Sequence, residues 1–223
     1  EGAHVQYSQN GVDWSESAPE AVQGLNSVYV RQIDDAGNLS AKSVFRFTFD
    51  SQAADANLQL ALLNDTGVVG DLISRNGLVQ PLNVAVSHYV EFSADGVVWS
   101  KKQPTAIEGM NTLWMRQLDA AGNASIGQQF TFVIDTQAAA APVVALAHDT
   151  GGSAADRLTA DASLQITGLE AGAKVQYSQN GKDWSESAPV AVDGANVLYV
   201  RQVDVAGNAS LAQRLSFVVD TQA

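Results

Sequence analysis

The chain has 223 residues, with 12 Lys+Arg against 24 Asp+Glu for a net charge of −12, no cysteine, 18 glycines and 46% hydrophobic residues. That acidic balance excludes a nucleic-acid binder held by phosphate contacts, and the missing cysteine excludes a disulfide framework, a thiol nucleophile and a Cys-based zinc site. No run approaches the ~18 apolar residues of a membrane span, so direct membrane insertion is not expected, and the first residues lack the basic and apolar regions of a signal peptide.

A tandem repeat organises everything else. Val5-Gln6-Tyr7-Ser8-Gln9-Asn10-Gly11 returns as Val175-Gln176-Tyr177-Ser178-Gln179-Asn180-Gly181, with a diverged copy at Val90-Glu91-Phe92-Ser93-Ala94-Asp95-Gly96; the spacing is 85 residues both times. The same offset relates Trp14, Trp99 and Trp184; Arg31, Arg116 and Arg201; Asp34, Asp119 and Asp204; and Asp50, Asp135 and Asp220. Residues 1–53 and 171–223 share 33 identities. The reading is therefore the later part of one repeat over 1–53, then complete repeats over 54–138 and 139–223. A repeat without its first strands exposes a sheet edge and part of a core, and is expected to be loose unless it borrows strands.

Within a repeat the signals are short strands. In the third, β-branched and aromatic runs bounded by Gly, Asn, Asp and Pro predict strands near 143–148, 163–168, 173–178, 189–192, 196–204 and 211–219, with no helical period anywhere. Asn10-Gly11, Asp95-Gly96 and Asn180-Gly181 are expected as tight hairpin turns with positive φ at both central residues. About seven short strands in ~85 residues predict an all-β chain of tandem immunoglobulin-like β-sandwiches arranged end to end. In the run 197–203, alternation puts Leu198, Val200 and Gln202 on one face and Tyr199, Arg201 and Val203 on the other, without saying which is buried. If the first face is inward, Tyr29/Arg31, Trp114/Arg116 and Tyr199/Arg201 form an outer strip. Such a strip either covers the sheet or contacts a glycan or protein ligand, and sheet cover is the simpler account. The three repeated tryptophans are expected in core or sheet-cover positions too.

Acidic residues gather in turns that recur with the repeat. Asp65 and Asp71 answer Asp149 and Asp156, Asp119 answers Asp204, and Asp135 answers Asp220. End-to-end stacking would collect Asp65, Asp71 and Asp135 with Asp204, Asn208 and Glu170 at one junction, and Asp50 with Asp119 and Asn123 at the other. Crowded carboxylates repel, whereas Ca²⁺ takes six to eight hard oxygen ligands, so calcium is the expected bound ion. The competing account is that Asp204-Val-Ala-Gly207-Asn208 is simply a good turn. Asp65-Thr66-Gly67 and Asp149-Thr150-Gly151 match the D-T-G tripeptide of two-lobed aspartic proteases. Their flanks and the short chain argue against that chemistry, His4, His88 and His148 occupy non-equivalent positions, and no P-loop, dinucleotide fingerprint or G-x-S-x-G is present. No enzyme is expected.

These motifs, namely Asp-Thr-Gly…Asp, Gly-Leu-Glu-Ala-Gly-Ala, Tyr-Ser-x-Asn-Gly-x-x-Trp-Ser, Val-Arg-Gln-x-Asp-x-Ala-Gly-Asn and the closing Asp-Thr-Gln-Ala, resemble the bacterial immunoglobulin-like repeats of giant Gram-negative adhesins of the Bap-like and RTX type. The resemblance covers the whole chain. It implies type I secretion, display at the bacterial cell surface, cell adhesion and biofilm formation, many similar modules in the parent protein, and calcium that stiffens the links between them. The implied partners are the neighbouring repeats of the same chain. By the same resemblance Asp135, Asp204 and Asn208 inherit one junction role and Asp50, Asp119 and Asn123 another. The middle repeat departs from the pattern, with Leu82-Asn83-Val84-Ala85-Val86-Ser87-His88 where the third has Gly-Leu-Glu-Ala-Gly-Ala-Lys.

Overall fold

A computed structural model describes residues 2–222 as an all-β molecule, with no helix among the described residues. β1 (His4–Ser8), β2 (Gly24–Ile33) and β3 (Ser43–Phe49) form one antiparallel sheet in that order. The middle repeat pairs β4 (Gln59–Leu62) with β6 (Val79–Leu82) and builds a second sheet from β5 (Ile73–Ser74), β9 (Gln128–Ile134), β8 (Gly109–Leu118) and β7 (Tyr89–Ser93), in that order. The third repeats this arrangement. β10 (Val143–Leu146) pairs with β12 (Leu164–Thr167), and β11 (Leu158–Thr159), β15 (Gln213–Val219), β14 (Gly194–Val203) and β13 (Lys174–Ser178) form the four-stranded sheet.

Packing divides the chain into two compact units. One comprises the chain up to Asn57 with Val84–Val90 and Arg116–Gly127; the other comprises Leu58–Asn83, Glu91–Met115 and the chain from Gln128 onward. The second unit contains an apolar core of Val144, Leu198, Val200, Leu215, Phe217 and Val219, against which Leu146, Leu164, Ile166, Val175 and Tyr177 pack. These are alternate residues of five strands, so the two-residue period delivers one apolar face from each sheet to the same space. Each fully buried side chain of this kind contributes about 1.5–3 kcal/mol. The first unit carries β1–β3, whose corresponding residues Phe45 and Phe49 are exposed.

Leu198 and Val200 point inward, leaving Tyr199 and Arg201 half-buried on the outer face. Two details differ from the sequence reading. No strand forms at 189–192: the Asn196 side chain takes over, accepting from Val192 N and donating to Val192 O and Gly194 O, which satisfies the backbone without a ladder. The Asn-Gly sites are not two-residue hairpin turns either. Only the glycine has positive φ (74°, 75° and 72° at Gly11, Gly96 and Gly181). The chain makes a wider loop closed by paired Tyr177–Ser185 backbone bonds of 2.8 and 3.0 Å. Ser178 Oγ and Asn180 Oδ1 accept the loop amides of Gly181, Lys182 and Asp183. Side-chain oxygens thus do the work that an i→i+3 backbone bond would do.

Candidate functional site: a junction built on a repeated turn

The Asp-x-Ala-Gly-Asn segment forms the same kind of turn three times. In the first copy Asp34 Oδ1 accepts from the amides of Ala36 and Asn38, Oδ2 accepts from Asn38 Nδ2 at 2.9 Å, and Gly37 supplies positive φ. Asp119 and Asn123 repeat this with the Ala121 amide, and Asp204 accepts the backbone and side-chain amides of Asn208. The asparagine side chain, followed by backbone donors, holds the carboxyls of Asp34 and Asp119 below the usual carboxylate range. The turn competes successfully with any other use of these residues because both halves of its hydrogen-bonding capacity are met locally.

In the third repeat the turn has neighbours on its outer side. Asn208 has a second amide hydrogen, which it donates to the carbonyl of Asp135 at 2.9 Å. Thr66 Oγ1 donates to Ala206 O at 2.6 Å, Val68 N to Val205 O at 2.9 Å and Arg75 Nη1 to Gly207 O at 3.0 Å. Gly67 lies flat on the same turn, and a Cβ there would overlap the Val205 carbonyl oxygen and the Gly207 nitrogen. Behind the turn Gln202, 1% exposed, donates to Ala140 O at 2.6 Å and to Gly168 O, and accepts from Glu170 N. Residues 205–207 thus offer three successive carbonyls to donors of the loop 66–75, while the linker 135–140 offers its own carbonyls to Asn208 and Gln202. Ala206 and Asp204 are buried as a result, whereas Asp34, in the same turn of the first copy, is exposed.

The first unit holds a shorter version of the same contact. Asn123 Nδ2 donates to Asp50 O at 3.1 Å, and buried Gln117 donates to Asp55 O and accepts from Ala85 N. Asp50 itself accepts from Gln23 Nε2 at 2.6 Å.

The structure therefore brings Asp135, Asp204 and Asn208 together, and Asp50, Asp119 and Asn123 together, but the closing aspartates take part through their carbonyls. The Asp135 and Asp220 carboxylates cap the amides of Gln137 and Gln222. Asp71 and Asp156 cap Ile73 and Leu158. Asp65 Oδ2 accepts from Gly70 N and Asp149 Oδ2 from Arg157 N, while the Oδ1 of each is buried without a partner. Among the described residues no cluster of three or more acidic or histidine side chains forms. The loop opened by Asp65-Thr66-Gly67 thus supplies the junction with a hydroxyl and a bare backbone.

Arg75 and Gln117 had no place in the sequence reading, and Thr66 and Gln202 entered it only as members of a tripeptide and of an alternating run, with no role at the junction. The glutamines could have been found, because each is a polar residue at an inward position of an alternating strand. His148 is also engaged, with its Nδ1 at 2.8 Å from Asp161 Oδ2. The Ser163 hydroxyl and amide, then His148, bring the Asp161 pKa down to about 2. On the outer sheet face Arg31 lies 4.0 Å over Trp14 and donates to Gln6, and Arg201 lies 4.1 Å over Trp184 and donates to Gln176. Burial lowers the Arg201 pKa. These arginines are occupied within their own sheets, as sheet cover requires.

No family model matches the chain, and no curated protein does. Among solved structures, one similar chain comes from work on host cell surface retention of a 1.5-MDa bacterial ice-binding adhesin; it is 17% identical, with a TM-score of 0.32, covering 99% of this chain and 87% of that one. Another is Bacteroides ovatus SGBP-B of the mixed-linkage glucan utilization locus, in complex with a mixed-linkage heptasaccharide. It is 11% identical with a TM-score of 0.24, and the match covers 98% of this chain and 61% of that one. At such TM-scores neither likeness carries an argument about function.

Proposed function

We propose that this chain is a non-enzymatic spacer from a large bacterial cell-surface adhesin, its repeats following one another as sandwiches whose contacts hold the array in line for cell adhesion and biofilm formation. The observation that carries this reading is the second use of the turn 204–208. It is complete within its own repeat, yet its three outer carbonyls and Asn208 are bonded to the loop and linker of the repeat before. Contacts between neighbouring repeats add to the stability of an array roughly as independent terms. Export by type I secretion belongs to the same proposal through the motif resemblance. The test is replacement of the segment within its parent protein. A length-matched unrelated spacer is expected to restore adhesion lost on deletion; failure to restore it would favour the ligand-binding alternative, with the Tyr29/Arg31, Trp114/Arg116 and Tyr199/Arg201 strips as the contact surface.

Calcium is the finer part of this proposal. What supports it is the loop between Asp65 and Asp71, where a carboxylate oxygen is buried with no donor, a costly arrangement that a hard cation would relieve. Asp65 and Asp71, with Asp149 and Asp156 in the next repeat, are the residues that would hold it. The oxygens of Asp119 and Asp204 are already satisfied by their turns and fit the ion less well. Thermal unfolding with Ca²⁺, Mg²⁺ and chelator at fixed ionic strength is expected to show a rise specific to calcium. Superimposable curves would remove the ion and leave the hydrogen-bonded junction.

A further inference from the structure

The middle and third repeats share their strand order but close one sheet edge differently. In the middle repeat the outer edge of β6 is shut twice. Gln103 Nε2 donates to Gly77 O at 2.7 Å while its Oε1 accepts from Val79 N at 3.1 Å, and Pro81 removes the next outward N–H. The ladder explains these positions. Leu63 N donates to Leu78 O, so residues 77, 79 and 81 turn their main-chain groups away from β4.

The third repeat has the same ladder, with Ala147 N donating to Ser163 O, and neither device. Ala188 stands where Gln103 does, 85 residues on, and Ile166 stands where Pro81 does. Ala162 O, Leu164 N, Leu164 O and Ile166 N therefore line the outer edge of β12, which pairs with β10 alone. A third exchange widens the gap. A Cβ at Gly77 would lie 2.4 Å from the Ala106 Cβ, closer than two such atoms approach, so its counterpart Ala162 keeps the chain at Ala191 farther off. The result is a cleft of about 270 Å³ beside β12, lined by Ile166, Tyr177, Leu198 and Phe217, in which Leu164 is half-buried where Val79 is buried. The matching cleft of the middle repeat is lined only by residues between 94 and 132 of that repeat, although another repeat follows it. A following repeat therefore does not reach this flank.

Gln103 also shows what the open edge takes. Donating to one residue and accepting from the residue two further on is what a residue of a parallel strand does, so this carboxamide stands in for one residue of such a strand. The third repeat offers a further acceptor and donor beyond that pair, and a polypeptide main chain repeats the pattern along an edge. No lysine or arginine lines the cleft, Asp161 and Asp193 adjoin its lining residues in the chain, and the net charge is −12. That charge repels a second copy and favours a basic segment.

We propose that the β12 edge of the third repeat is a binding site for an extended segment of another polypeptide, added as a parallel strand, with apolar side chains turned into the cleft and lysine or arginine at the alternate positions. The inference does not depend on the spacer reading.

The test adds a blocked peptide of alternating lysine and valine to the full chain and follows amide hydrogen exchange. Exchange at Leu164 and Ile166 is expected to slow about tenfold or more at saturation, with Val79 unchanged. The same peptide with every peptide nitrogen methylated cannot donate and is expected to have no effect, and glutamate in place of its lysines is expected to weaken binding about tenfold or more. Ala188→Gln, at an exposed position, is expected to protect Leu164 without peptide and to remove the response to it. Unchanged exchange at millimolar peptide, equal slowing by the methylated or the acidic peptide, or a response that survives Ala188→Gln would each overturn the proposal. Slowing that grows with the concentration of the chain alone would overturn it too, by assigning the edge to a second copy.

Discussion

Two stretches of this chain, residues 1–53 and 171–223, share 33 identities and fold into the same three strands in the same register, with His4↔Ile33 answering Lys174↔Val203. Their environments differ. Val200, Leu215, Phe217 and Val219 are buried, whereas at the matching positions Val30 and Phe47 are half-buried and Phe45 and Phe49 are exposed. Local sequence therefore specifies strand, turn and pairing, and burial is decided by what arrives from elsewhere in the chain. The turn teaches the same lesson, since Asp34 and Asp204 make the same internal bonds but only Asp204 is enclosed.

Paired substitutions at matching positions sharpen this contrast. Phe217→Ala is expected to cost about 3–5 kcal/mol of the stability of its unit by denaturant unfolding. Phe47→Ala is expected to cost less than half of that, because the side chain is only half-buried. Equal costs would show that the first sheet is already covered in solution.

Next in size are the buried polar anchors. Gln202→Leu leaves Ala140 O, Gly168 O and Glu170 N without their partner and is expected to cost about 1–3 kcal/mol. Gln32→Leu, at the exposed equivalent, is expected to change stability by about 0.5 kcal/mol or less. Asn208→Ala removes both the turn bond and the Asp135 bond, so it is expected to cost more than Asn38→Ala, which removes only the first. Identical losses would mean that the junction bond adds nothing.

The smallest effect is on titration. The folded pKa values of Asp34 and Asp119 lie below the unfolded value of about 3.9. Their stabilising contribution is therefore complete above that value and disappears as pH falls through the lower folded one. Asn38→Ala and Asn123→Ala are expected to raise the two values toward the ordinary range, measured by carboxyl NMR. For Asp161 the contribution persists until pH falls through about 2.

The sequence made the strands legible because they alternate, and made Asp-x-Ala-Gly-Asn legible as a turn because Asp, Gly and Asn each have a local reason to be there. Its grouping of Asp135 with Asn208 and of Asp50 with Asn123 was made for cation ligands, and the structure has these pairs in contact through a carbonyl and a side-chain amide. What it could not show was that Asp135 and Asp50 contribute carbonyls, since a backbone acceptor leaves no trace in residue type. Nor could it show Thr66 and Arg75 reaching 206 and 207, contacts of 140 and 132 residues' separation that no periodicity encodes. The two-residue strands β5 and β11 are too short to carry a pattern.

Gly67, lying bare against residues 205–207, has one more consequence. Because the loop meets main-chain oxygens of the turn, the side chain at the turn's second position is free to change: it is Asp35, Ala120 and Val205 in the three copies. A repeat bearing this turn can follow any repeat bearing this loop, much as couplings of one gauge accept any carriage. Duplication or reshuffling of whole repeats then needs no matching mutation across the joint, and the length of such an array can drift freely while its connections stay the same.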